Sequence, residues 1–73
     1  MIKIDKNFYT LMIAGAIEDE KLPGIKDEEA VKLIGESIDE TVKFYEDTFG
    51  EIEDWEVFED DLLADAKKKL GVQ

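Results

Sequence analysis

Residues 27–49 read DEEAVKLIGESIDETVKFYEDTF, and this stretch decides the fold. Asp27 suits an N-cap, and Glu28 and Glu29 fall in the first turn, where they complement the positive end of the helix dipole. Gly50 follows at a position that ends helices. Val31, Ile34, Ile38, Val42, Tyr45 and Phe49 recur every three or four residues and share one face. Glu29, Glu36, Asp39, Glu40 and Asp47 cluster on the opposite one. The expectation is a helix over 28–49 with a buried stripe and an acidic ridge.

Breaks on either side of this stretch, Lys-Leu-Pro-Gly at 21–24 and Gly50, set off two further helical segments. The first, 7–19, is apolar over most of its circumference. Tyr9, Met12, Ile13 and Ala16 form one face, with Leu11 and Ile17 outside it, so this helix is expected to be central and wrapped by its neighbours. The third runs from 52 or 55 to 70, with Trp55, Phe58, Leu62, Leu63, Ala66 and Leu70 on one side, and both Trp55 and Phe58 read as core. Gly71 suits the position just past its end, and Lys67, Lys68 and Lys69 complement the negative end of its dipole. Its start is less regular, because Glu59 points into the apolar arc and Val57 out of it. Residues 52–57 therefore read as helix by preference, with a turn or a short strand pairing with 1–4 as the alternative. The fold class is all-α: one compact three-helix domain over 1–73, with a short N-terminal β-strand as its variant.

Composition narrows the function. At 73 residues the chain is near the size at which a single apolar core supplies about 3–5 kcal/mol. A hydrophobic content of 44%, seven aromatics and a single Pro argue for a folded chain despite the charge. There is no Cys and no His, which removes disulfides, thiolate chemistry and the usual zinc ligands together. The apolar run 8–17, behind Lys3 and Lys6 and containing Ala14-Gly15-Ala16, has the outline of a secretory leader. Asp5, Tyr9 and Thr10 count against that reading, and the run is far short of the about 20 residues a bilayer requires. The expectation is a soluble cytoplasmic protein, in a host cytoplasm if viral, with no membrane contact.

The charge is concentrated. Between Glu36 and Asp65 there are thirteen acids and one Lys, a net charge of −12, so the remainder of a chain carrying −11 sums to +1. Along helices rising about 1.5 Å per residue this is one charge per roughly 4 Å. A strand of B-DNA carries one phosphate per about 3.4 Å, a comparable density. A solvated face that keeps a small protein soluble is the plainest reading of such acids. Two details point further. Glu46 and Asp47 lie in the last turn of the second helix, where negative charge opposes the dipole at about 0.3–1 kcal/mol each. Lysines placed to form i,i+4 pairs are nearly absent from the block.

Catalytic constellations are wanting. The chain offers Ser37, three Thr, two Tyr, lysines and carboxylates, none in a recognisable arrangement of nucleophile and base. Asp47, Gly50, Ile52 and Glu56 match positions 3, 6, 8 and 12 of a calcium-binding EF-hand loop, but Tyr45 and Phe49 occupy the first and fifth positions and supply no carboxylate. No enzyme activity, metal or cofactor is expected.

Direct nucleic-acid binding is disfavoured, because affinity there comes from cations neutralising phosphates. The inverse is physically sensible: an acidic ridge docking into the basic surface of a nucleic-acid-binding protein and inhibiting it by mimicking nucleic-acid charge. Viral inhibitors of nucleases and polymerases include acidic proteins of this type. The likeness is one of composition, with no motif to align and no family to assign. Glu36, Asp39, Glu40, Asp47, Asp54, Asp60, Asp61 and Asp65 are the expected contacts to a basic partner. The rival expectation is a structural or scaffold subunit, a helical homo-oligomer or small assembly component, that associates through Leu33 and Phe44 and uses its acids for solubility.

Overall fold

The computed structural model describes residues 2–18 and 27–71. Three helices follow one another: α1 (Lys6–Glu18), α2 (Asp27–Thr48) and α3 (Trp55–Leu70). The break at 21–24, Met1 of the strand alternative and the capping role of the Asp27 side chain lie outside what is described. Asp5 caps α1, its Oδ1 accepting from Phe8 N–H at 3.0 Å. Gly50 ends α2 in the left-handed region, φ 81°, and donates its N–H to the carbonyls of Tyr45 and Glu46 at 3.0 and 3.1 Å. Asp54 opens α3, its Oδ1 accepting from Glu56 and Val57 N–H at 3.1 and 3.2 Å. Gly71 closes α3 with φ 76°, returning its N–H to Lys67 and Lys68, as the sequence suggests.

The centre of the molecule is α2, which packs on both other helices; α1 and α3 meet far less. The core joins Tyr9, Ile13 and Ile17 of α1, Ala30, Ile34, Ile38 and Tyr45 of α2, and Phe58, Leu62, Ala66 and Leu70 of α3, with Ile52 inserted from the turn. Phe58 is fully buried, worth about 1.5–3 kcal/mol of transfer free energy. Tyr9 ties α1 to α3: its ring stacks on Trp55 at 6.5 Å and meets the edge of Phe58 at 5.9 Å, and its hydroxyl donates to Glu59 Oε2 at 3.1 Å.

Several expectations are corrected. No strand forms among the described residues. Residues 2–5 are irregular and lie along α2, where Ile2 N–H donates to Glu46 Oε1 at 2.8 Å, while 55–57, half of the supposed partner, are the first turn of α3. Expected to be central, α1 is peripheral, with Leu11 74% and Phe8 55% exposed and Ala16 exposed. The 9, 13, 17 row faces inward, so Ile17 is core. Val31 on α2 and Phe49 just past its end stand in solvent, whereas Ala30, Ser37 and Thr41 of α2 are buried. A stripe chosen by hydrophobicity passes over small residues, yet these let a helix flanked by two neighbours approach both closely. Trp55, read as core, is 44% exposed at the first position of α3.

Candidate acidic interaction surface

Ten of the thirteen carboxylates between Glu36 and Asp65 are exposed; Glu46, Glu59 and Asp65 are half-buried. The three half-buried acids sit where α2 or α3 meets another part of the chain. Glu46 anchors the N-terminal segment and Glu59 accepts from Tyr9. Glu46 thus has a structural reason to occupy the last turn of α2 despite the dipole.

The eight acids singled out from sequence divide over the surface. Glu40, Asp61 and Asp65 come together in a groove between α2 and α3 that is also lined by Thr41, Phe44, Tyr45 and Lys69. Two lie at its walls because 61 and 65 are one helical turn apart on α3, and 40 and 44 one turn apart on α2. Lys69 pairs with Glu40. Its ammonium is held above its usual pKa by that hydrogen bond, against the opposing effect of burial, with the charges of Glu40, Asp65 and Glu36 adding to the shift. Glu36 contributes to that field from the α1 flank of α2, where it lines a depression with Lys6, Lys32 and Asp39. The Tyr45 hydroxyl donates to Asp61 Oδ2, and its pKa is pushed up to about 12 by that bond first, then by burial and by the charges of Asp61 and Asp54. Asp65 Oδ2 is buried without a hydrogen-bond partner.

The other acids lie elsewhere. Asp39 is on the α1 side of α2, paired with Lys6 Nζ at 2.9 Å. Asp47 lines a shallow depression with Ile2, Lys3, Lys43 and Glu46. Asp54 is the α3 N-cap. Asp60 is exposed, about 100° around α3 from Asp61. Of the two apolar candidates, Phe44 is 57% exposed, while Leu33 is partly buried against the core.

Sequence reasoning missed the counter-ions Lys6 and Lys69, which reach the ridge from other helices and leave no i,i+4 signature. It also missed the aromatic setting of Phe44, whose ring lies 6.4 Å from that of Phe49. Placing Phe49 beyond the last residue of α2, directly before the Gly50 cap, would have revealed it.

Tyr9, Tyr45 and Lys69 all have pKa values moved up, away from neutrality. Among the described residues, no group of three or more carboxylates is arranged to hold a metal ion, and no helix is long and apolar enough to cross a membrane. The chain matches no family model, no curated protein and no solved structure.

Proposed function

We propose that this protein is an acidic interaction module that occupies the basic, nucleic-acid-binding surface of another protein and blocks it by presenting a nucleic-acid-like density of charge. The observation that carries this reading is the exposure of ten carboxylates on the hairpin formed by α2, the turn and α3. A surface of that sign steers a cationic partner at long range and offers charge-assisted hydrogen bonds to Arg and Lys on contact. Binding is favoured over catalysis because a general acid or base works best with a pKa near the operating pH, and the perturbed groups here are shifted the other way. The exposed Phe44 favours a second reading, a self-associating subunit. Copies that each carry −11 repel one another, which weighs against it.

Affinity capture from a nuclease-treated lysate of the native host separates the two readings. Mimicry predicts that basic nucleic-acid-binding proteins are retained, released by salt, and lost when Glu40, Asp47, Asp60 and Asp61 are replaced by Lys in a variant that circular dichroism shows to be folded. Retention unaffected by the charge reversal overturns the proposal. Self-association predicts instead an oligomer in sedimentation that dissociates when Leu33 and Phe44 become polar.

A further inference from the structure

Where α2 turns into α3, apolar side chains stand in solvent that no part of the core uses. Phe49 is 62%, Phe44 57% and Val57 48% exposed. The Phe49 ring lies 5.4 Å from that of Tyr45. Tyr45, Phe49 and Val57 line a pocket of about 250 Å³ whose remaining walls are Glu51, Glu53 and Asp54. The pocket is built on fixed points: the Gly50 cap, the Asp54 cap and the buried Ile52 between them. A ligand would find it formed, with little ordering left to do on binding.

We propose that this pocket seats an arginine side chain from a basic segment of the partner protein, making it the anchor of the docking surface. The inference rests on the reading above and adds to it a specific point of contact. An aromatic wall facing carboxylates matches a guanidinium in both respects. The plane of the cation stacks on the exposed Phe49 ring, and its fork of donors reaches carboxylate oxygens. A lysine ammonium is more strongly hydrated and has no plane to stack, so it fits less well. An apolar ligand would leave three carboxylates at the edge of a dry contact. A second copy of this chain is disfavoured as the occupant on charge and on composition, since each copy carries −11 and all its cations are lysine.

The test uses the full chain, labelled with nitrogen-15, and three acetylated, amidated glycine-flanked peptides whose central residue is arginine, lysine or citrulline. The arginine peptide should shift the amides of Tyr45, Phe49, Glu51, Glu53, Asp54 and Val57 along one isotherm. The lysine peptide should bind at least threefold more weakly, and the citrulline peptide, isosteric but neutral, should not bind measurably. Phe49→Ala should weaken the arginine isotherm at least threefold while the remaining amide spectrum stays dispersed, and Val57→Lys, which sets a cation at the mouth, should abolish it. Equal binding of citrulline and arginine overturns the proposal. So do shifts spread evenly over the acids of α2 and α3 that Phe49→Ala leaves unchanged. Those results would leave charge mimicry standing, whereas partner capture indifferent to charge reversal would remove mimicry whatever the peptides do.

Discussion

Replacing Ser37 with Ala should make this protein more stable. Ser37 is fully buried on the inner side of α2, and its Oγ has no hydrogen-bond partner. Burying a hydroxyl without compensation costs about 1–3 kcal/mol, and serine is the poorer helix former by about 0.5 kcal/mol. Against this, removing one oxygen leaves a void of roughly 10 Å³, worth about 0.2–0.3 kcal/mol at the usual cavity coefficient. The net expectation is a gain of about 1–3 kcal/mol, a substantial share of what a domain this small has in total. For a chain of this size each kcal/mol moves Tm by about 4–8 °C. Urea unfolding should be followed by far-ultraviolet circular dichroism and by the fluorescence of Trp55, the single tryptophan, which reports the α1–α3 contact through its stacking on Tyr9. Coincident curves would license two-state analysis. A higher midpoint at unchanged m-value is expected, with partner capture unaltered because Ser37 does not reach the surface. An unchanged or lower midpoint would refute the reasoning and would mean that the hydroxyl is satisfied, for instance by bonding back to a carbonyl of its own helix.

Two further outcomes follow from the electrostatics. Tyr45 has a folded-state pKa of about 12 against an ordinary value of 10.0, so the folded state holds the phenolic proton more tightly than the unfolded one. Its contribution is complete below about pH 10 and is lost as pH rises through about 12. Tyr9 is shifted in the same direction. Tyr45→Phe should therefore flatten the fall in stability over that alkaline window, at a cost near neutrality of about 1.5–3 kcal/mol for the lost hydrogen bond to the Asp61 carboxylate, as read by urea midpoints across pH; an unchanged slope would remove Tyr45 from the account. Raising salt from about 0.01 M to 1 M shortens the Debye length from about 30 Å to 3 Å. This should raise the Tm of the free protein while weakening its hold on a basic partner, to be checked by calorimetry and by capture at matched salt.

Much of the fold was legible because it depends on local signals. Gly50 and Gly71 were read as helix ends and adopt the left-handed conformation; Phe58, Leu62, Ala66 and Leu70 were read as one face and are buried. What failed depended on neighbours. The circumference of α1 is apolar on nearly every side, so its sequence does not say which side meets α2. The buried side of α2 includes Ser37 and Thr41, which no hydrophobic pattern selects. The same division runs through the surface. That the acids are mostly exposed followed from their number. That Glu40, Asp61 and Asp65 share one groove while Asp39 lies on another flank depends on how α3 lies across α2. The pairing of Lys69 with Glu40 spans 29 positions and is a product of that packing.

The arrangement of lysines bears on which reading of the acids is the better one. A chain under pressure for solubility alone gains most from mixing signs over its surface, because a large field of one sign destabilises the compact state. Here Lys67, Lys68 and Lys69 follow one another at the end of α3, where they complement the helix dipole, while the stretch from Glu36 to Asp65 carries Lys43 as its sole cation. Lys69 bridges to Glu40 at one end of the α2–α3 groove; toward the other end lie Asp61 and the acids of the turn, Glu51, Glu53 and Asp54. Repulsion is therefore relieved where the helices need holding together and left in place at the turn, beside the exposed Phe44 and Phe49. A cationic segment docking there would relieve the remainder and stabilise the folded protein through its own binding. Salt relieves the same repulsion by screening but offers no contacts. The opposite responses of stability and affinity to salt thus have a common origin in the carboxylates of the hairpin.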